Sequence, residues 1–450
     1  MYKRQGISIN NLRVKQDDNI RISRMNFTLS FAVAAVLALD VASAFTSTAS
    51  LRNTGPTNRC HSQMTMSTNS DNGDASTNHN GVISSSFSRR DVLVASAAAT
   101  TAGLWSIVKP ATAAATTPTI QLPPLGLGAW AWGDSFFWGY DKKNDDELKQ
   151  VFDYAVANSK TSTTLFDTAE VYGFGRSESL LGEFSKDLPA GSKKVQIATK
   201  FAAIPTRTKP DNVLRACEAS QKRLGGDKPI DLYQIHFPNA WSNEEYWDGL
   251  AQAYEKGLVK AVGVSNYGVD ATRACHAALA KRGIPLSTNQ IQLSLLYTHP
   301  LQNGLMETCK ELGIQVLAYS PLGLGMLTGK YTPDNPPQGP RKKLWEKLQQ
   351  TPDYANLLAV MDQVASQHSA AATKAQVAIN WARAKGSIPI PGARTVRQVQ
   401  QNYNALDWTL TKEEEQMLDD AAAKVTTFIQ PSEGPFAKKD INTGLIMFDS

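Results

Sequence analysis

Four residues whose types could do acid–base chemistry fall at matching places along the chain. Asp167 closes the apolar run Leu165-Phe166, and Tyr172 follows five residues later in a loop flanked by Gly173 and Gly175. Lys200 ends the run VQIATK and His236 ends DLYQIH. Singly, each has an ordinary explanation: an Asp before a turn shapes the turn, and a Tyr near a loop packs. Lys200 is harder to place, because an unpaired ammonium is costly to bury; a neighbouring carboxylate such as Asp167 resolves that. An ammonium beside a phenol favours the phenolate and should lower its pKa from about 10, making Tyr172 an acid–base group near neutral pH. His236 is placed to donate a hydrogen bond to a substrate oxygen. The set suits protonation of a carbonyl oxygen while a hydride arrives at its carbon, with Tyr172 as acid, Lys200 as tuner and Asp167 as its holder.

Bringing these residues together requires strands that end side by side. From Ile120 onward, strand-like runs alternate with helix-like ones: LGLGAW, then Asp145 to Asn158 (helix), Thr164 to Phe166 (strand), Ser177 to Leu188 (helix), Val195 to Lys200 (strand), Asp211 to Leu224 (helix), Ile230 to His236 (strand) and Asn243 to Lys256 (helix). The alternation continues through Ala261 to Ser265, Val269 to Arg282, Ser287 to Gln292, Leu301 to Leu312 and Ile314 to Tyr319. The stretch YTPDNPPQGPRKK is too rich in Pro and Gly for regular structure. Helical patterns at Tyr354 to His368 and Lys374 to Lys385 precede a last strand, Ser387 to Ile390. Helices at Val396 to Leu406 and Thr411 to Val425 follow, then a tail from Thr426 to Ser450 without strong periodicity. Eight β–α steps predict an α/β fold, a closed (β/α)8 TIM barrel with extra helices and a C-terminal tail, over residues 118–450. An open doubly wound sheet lacks the GxGxxG that would follow its first strand. A barrel puts chemistry at the carboxyl ends of its strands, where Asp167, Lys200 and His236 stand.

The stretches FDTAEVYG, IATKF, DLYQIHFP, VGVSNY, NQIQLSLL, AYSPLGLGMLTGKY and IPIPGARTVRQVQQN, in that order, make the chain resemble the aldo-keto reductases across nearly all of this region, most closely the plastid, pyridoxal reductase-like branch. The resemblance implies an NADP-dependent barrel, monomeric or weakly associated, that reduces a small aldehyde or ketone with NADPH. Carried over motif by motif, it implies that Ser265, Asn266 and Gln290 hold the nicotinamide carboxamide and that Tyr319 stacks on the nicotinamide ring. Ser320, Leu322 and Gly325 would line the pyrophosphate. Gly392 and Arg394 would lie at a helix start suited to an anion, with Arg394 on the 2′-phosphate, and Gln398 and Asn402 would face the adenine. Many family members have Lys where Gly392 stands and Glu where Gln401 stands. The first departure argues against a strict NADPH preference, and the second loosens the expected adenine contact. Trp130, Trp132, Phe136, Phe137 and Trp138 are expected to wall the substrate site, as are Pro238, Asn239 and Trp241. Two other classes compete: a cofactor-binding barrel that senses redox state or holds a partner with little turnover, and a metal-dependent barrel hydrolase using Asp167 and His236. The latter needs more strand-end ligands than a chain with six His offers.

Composition sets the outer bounds. Of 450 residues, 42% are apolar and 19% charged, which suits a globular protein with a large core. The net charge of +5 is concentrated near the N-terminus, and no basic stripe interleaved with aromatics argues for nucleic acid. The four cysteines form no CxxC pair, so buried free thiols are expected rather than a disulfide framework or zinc site. Residues 1–117 are expected to be a targeting presequence. Residues 25–45 resemble a secretory signal ending in Ala42-Ser43-Ala44 before Phe45, as in the bipartite presequences of complex plastids. Residues 88–115, opening on Arg89-Arg90, resemble a twin-arginine signal cleaved near Ala115. The expected destination is a plastid, in the thylakoid lumen or the stroma, with no stable membrane insertion of the mature protein.

Overall fold

A computed structural model describes residues 120–425 apart from Pro205, Asp227, Pro340 and Ala370, together with two short paired strands, Lys438–Lys439 and Ile446–Met447, in the tail. The targeting segments expected within residues 1–117 lie outside the described residues.

Eight strands form one parallel sheet in sequence order: β1 (Gly126–Gly128), β2 (Thr163–Asp167), β3 (Lys194–Phe201), β4 (Leu232–Ile235), β5 (Val262–Ser265), β6 (Leu286–Gln292), β7 (Gln315–Tyr319) and β8 (Ser387–Pro389). The sheet closes on itself. Gly128 N donates to Pro391 O at 3.0 Å, and Gly128 and Gly392 form a parallel bridge between the first strand and the chain just past the last. The interior is filled rather than hollow: Ile120, Leu165, Ala198, Leu232, Ala261, Leu317 and Ile390 pack as one buried cluster. Gln196 and Gln315 donate side-chain amide hydrogens to Gln121 O and Ile120 O, tying the segment before β1 to the strands.

The outer helices follow from helical spacing of apolar residues. In α1 (Asp145–Asn158), Leu148, Val151, Phe152, Ala155 and Val156 make one buried stripe, and Asp145, Asp146 and Glu147 complement the positive N-terminal end. Helices α2 (Arg176–Lys186), α3 (Pro210–Arg223), α4 (Asn243–Glu255), α5 (Val269–Ala280) and α6 (Leu305–Glu311) succeed β2 to β6. Glu178 of α2, wholly buried, accepts from Thr199 Oγ1 of β3 and Arg223 Nε of α3, both at 2.6 Å, which pins two helices to the strand carrying Lys200.

Between β7 and β8 the chain builds more than one helix. Here α7 (Arg341–Gln349), α8 (Pro352–His368) and α9 (Lys374–Ala384) intervene before α10 (Val396–Asn404) and α11 (Lys412–Lys424) follow β8. The segment RKK, expected to be irregular, is the first turn of α7; burial of Leu344, Trp345 and Leu348 on one face provides the reason. A capping box of Thr411 and Glu414 starts α11, and Glu414 also pairs with His368 of α8 at 2.9 Å. No helix among the described residues is long and apolar enough to cross a membrane. Cys217, Cys275 and Cys309 are free and buried, with burial pushing each thiol up, so they are inert structural groups.

Candidate active site

A cavity of about 780 Å³ opens at the carboxyl ends of the strands and is lined by all of the loops that leave β1, β2, β4, β5, β7 and β8. The strand order alone brings Asp167, Lys200 and His236 together, because β2, β3 and β4 are neighbours with registers Asp167↔Ala198 and Lys200↔Gln234.

At its base, Lys200 Nζ donates to Asp167 Oδ1 at 2.6 Å and to Thr168 O at 2.8 Å. Gln290 Nε2 donates to the other carboxylate oxygen, Asp167 Oδ2, at 2.7 Å. Lys200 is fully enclosed and Asp167 nearly so. Burial pushes the Asp167 carboxyl up and the Lys200 ammonium down, and each charge opposes that shift in the other. Gln290 therefore belongs to the pair as well as to the cavity wall, a connection with no signal in the sequence.

Tyr172 lies above this pair, with Lys200 Nζ 5.1 Å from its ring centroid. The ammonium thus faces the ring. The expected lowering of the phenol pKa is not what this arrangement produces. Tyr172 is half-buried in the cavity wall, and its desolvation there raises its pKa well above 10, with Asp167, Tyr319 and Asp134 adding to the rise. The carboxylate that makes Lys200 affordable to bury also cancels much of its field at the phenol.

His236 sits with its ring 5.8 Å from that of Tyr172 and stacked on Phe237 at 4.7 Å. Burial, and next the charge of Lys200, drop its pKa well below 6.5, so the imidazole is neutral. Its Nδ1 is buried without a hydrogen-bond partner. Ser265, Asn266 and Tyr319 form a chain beside it: Tyr319 Oη donates to Asn266 Oδ1 (2.9 Å), Asn266 Nδ2 to His236 O (3.0 Å) and Ser265 Oγ to Gln290 O (2.8 Å).

Away from the Lys200–Asp167 pair the cavity becomes basic and small-sided. Ser320, Leu322 and Gly325 line it, as do Gly392, Arg394, Gln398 and Asn402. Arg394 is fixed by an Nη1 bond to Trp138 O at 3.0 Å, and its backbone N–H is taken by Gln398 Oε1 at 2.7 Å. Thr395 caps α10. Asn402 is 3% exposed and its Nδ2 has no partner. Phe174, Asn266, Ser320 and Leu324 are the non-glycine residues at positive φ among the described residues, and all four line this cavity. Such backbone costs of order 1–3 kcal/mol per residue and concentrates at functional sites.

Several wall residues have no counterpart in the sequence reading: Asp134, Phe174, Lys330, Arg341 and Arg397. Arg397 was findable at helical spacing from Arg394. Arg341, buried, with its guanidinium 4.6 Å over the Trp138 ring and Nη1 2.6 Å from Tyr331 Oη, was hidden in the Pro-rich stretch. Four expected substrate-wall residues, Trp132, Pro238, Asn239 and Trp241, are elsewhere. Trp132 is 1% exposed in the core, against Phe166 and Phe184, with Nε1 bonded to Ala393 O; a residue two after Trp130 in a turn faces the opposite way. Trp241 lies outside the cavity wall at the entry to α4, and Asn239 is a buried structural partner of Tyr246. Trp130, Phe136, Phe137 and Trp138 do line the cavity, and Trp130 stacks at 5.9 Å on Tyr172.

Residues 124–423 match the model of the aldo/keto reductase family. The chain is 44% identical over 318 residues to a chloroplastic pyridoxal reductase of Arabidopsis thaliana, covering 67% of this chain and 84% of that one. It is 33% identical over 310 residues to a probable aldo-keto reductase of Glycine max, covering 66% and 85%. Among solved structures it superposes on the glycerol dehydrogenase of Gluconobacter oxydans with a TM-score of 0.59 at 26% identity (70% and 97% covered), and on a thermostable aldo-keto reductase with a TM-score of 0.54 at 29% identity (67% and 95% covered). The chain belongs to the aldo/keto reductase family, in its pyridoxal reductase-like branch, and is an oxidoreductase of the NADP-dependent type.

Proposed function

We propose that the protein reduces a small aldehyde or ketone with NADPH inside a plastid, with Tyr172 as proton donor. The observation that carries the reading is the buried Lys200–Asp167 pair under the Tyr172 ring, at the base of a cavity that continues to a basic rim.

The wall fits a nicotinamide dinucleotide phosphate. Backbone at positive φ shapes the wall at Ser320, Leu324 and Gly325, the N-terminus of α10 offers an anion site, and Asn402 Nδ2 is buried without a hydrogen-bond partner. Ser265, Asn266 and Gln290 would hold the carboxamide, with Tyr319 beside the ring. Arg394 and Arg397 would take the phosphates and Gln398 and Asn402 the adenine. When bound, NADPH supplies the hydride. Tyr172, kept protonated by burial, gives its proton to the substrate oxygen. As that proton leaves, Lys200 stabilises the charge developing on the phenol, and Asp167 holds Lys200 in place. This replaces standing ionisation with stabilisation confined to the transition state. Neutral His236 orients the substrate oxygen through a ring N–H. The Arabidopsis relative, by its name, acts on a heteroaromatic aldehyde, and the aromatic wall of Trp130, Phe136 and Phe174 suits a planar body.

Steady-state oxidation of NADPH with a panel of aldehydes tests the reading. Tight NADPH binding without turnover of any carbonyl would favour a redox-sensing barrel instead. Arg394→Ala is expected to weaken NADPH about tenfold while leaving NADH nearly unchanged, because a guanidinium recognises phosphate oxygens. Equal losses measured by fluorescence titration would remove Arg394 from the 2′-phosphate. We also infer that residues 1–117 are a presequence and that the mature chain begins near Thr116, in the thylakoid lumen. Sequencing the N-terminus of the organellar protein decides this, since a start well before Arg89 would place it in the stroma with the second signal uncut.

A further inference from the structure

The carbonyl-reductase reading uses every charged group at the catalytic end of the cavity except one. Asp134, in the loop after β1, lines the wall beside Trp130 and Tyr172. Its Oδ2 accepts from Trp130 Nε1 at 2.8 Å and its Oδ1 accepts from the backbone N–H of Phe137 at 2.9 Å. No ion pair among the described residues includes it, whereas the other cavity-wall carboxylate, Asp167, is paired with Lys200. Two hydrogen bonds leave each carboxylate oxygen with further accepting capacity and leave the charge uncompensated.

The surroundings hold this carboxylate in place. A Cβ on Gly173, whose φ is +56°, would lie 2.2 Å from Gly133 O, so the loops after β1 and β2 are locked together with Asp134 next to their junction. Phe174, in that junction, keeps a left-handed backbone and is 58% exposed, and Phe136 is 70% exposed. Both line the same cavity. Two apolar rings left open to water at a cavity mouth, one of them on strained backbone, flank a lone negative charge. Of the basic residues of the cavity, Arg341 stacks over the Trp138 ring and Arg394 bonds Trp138 O, in the loop that carries Asp134, yet neither they nor Lys330 and Arg397 form an ion pair with its carboxylate among the described residues.

We propose that Asp134 is a specificity residue that selects carbonyl substrates bearing a positive charge, an ammonium or a protonated ring nitrogen, on a planar apolar body flanked by Phe136 and Phe174. This rests on the carbonyl-reductase reading and adds the charge of the substrate to it. The attraction acts in a site of lower effective dielectric than water, where one charge at contact distance discriminates strongly. Its proximity to the reacting group is evident in the contribution of its charge to the raised pKa of Tyr172.

The test compares two aldehydes of one shape, 4-(trimethylammonio)benzaldehyde and 4-tert-butylbenzaldehyde, as substrates of the full-length enzyme with NADPH. The para-ammonio group itself activates the carbonyl, so the reading is the change in the kcat/KM ratio of cation to neutral aldehyde. Asp134→Asn should lower that ratio about tenfold from its wild-type value, the scale of one partly screened charge pair. Trp130→Phe removes the indole hydrogen bond but keeps the carboxylate, so it should keep the ratio even where it lowers both rates. A wild type without preference, or an Asp134→Asn enzyme whose ratio equals that of the wild type, would overturn the proposal and leave Asp134 as a loop-shaping residue. Failure of the wild type to reduce these two and every other aldehyde of the panel would instead sink the reductase reading, and this one with it.

Discussion

Tyr172→Phe lowers kcat for aldehyde reduction by about a thousandfold and leaves the NADPH dissociation constant within about twofold. The magnitude follows from the loss of a positioned general acid, worth about 10²–10⁴ in rate. The ring survives the substitution, so its stacking with Trp130 and its place over Lys200 are kept, and only the hydroxyl is lost. Single-turnover rates with bound NADPH, together with fluorescence titration, separate the two quantities. Near-normal turnover would refute the proton-donor role. A pH profile adds a second check. Because burial raises the phenol pKa well above 10, the donor form persists through neutral and alkaline pH, and reductive kcat should show no fall from loss of the donor proton across that range. A decline centred near neutral pH would instead indicate the lowered phenol pKa that the Lys–Tyr pairing suggests in isolation.

Lys200→Met produces the second large effect, on both rate and stability. It leaves Asp167 buried with Gln290 as its remaining side-chain hydrogen-bond partner, and breaking a buried pair this way costs about 3–5 kcal/mol. Thermal denaturation should show a clear fall in Tm. Turnover should drop by about 10²–10³, the usual cost of removing one preorganised electrostatic stabiliser. Adding Asp167→Asn removes the stranded charge, so the double variant should regain much of the stability and none of the activity. A double variant as unstable as the single one would mean that Lys200 supports the fold through its bond to Thr168 O rather than through the ion pair.

Asp167, Lys200 and His236 could be assigned to one site from sequence because strand ends in a parallel barrel are a one-dimensional property. Each lies at or beside the carboxyl end of an apolar run, and consecutive strands are spatial neighbours, so chain order already encodes adjacency. The helices were legible for a similar reason, since a buried stripe such as Leu148, Val151, Phe152, Ala155 and Val156 is a periodic signal. The boundaries of α7 were not, because Pro and Gly before Arg341 masked a helix whose apolar face only the packing around Trp345 makes necessary.

Other features were decided by tertiary structure alone. Trp130 and Trp132 are alike by residue type and neighbourhood, and only the turn between them sends one to the cavity and the other to the core. The ionisation of Tyr172 is set by burial and by Asp167, Tyr319 and Asp134, which lie at two strand ends and in a loop, so naming its neighbours could not give the sign of the shift. Composition and spacing determined the barrel and which strand ends bear chemistry, because both are written in local periodicity. The direction each loop side chain faces, and the net field at one hydroxyl, depend on distances between residues remote in the chain, and those exist only once the barrel has closed.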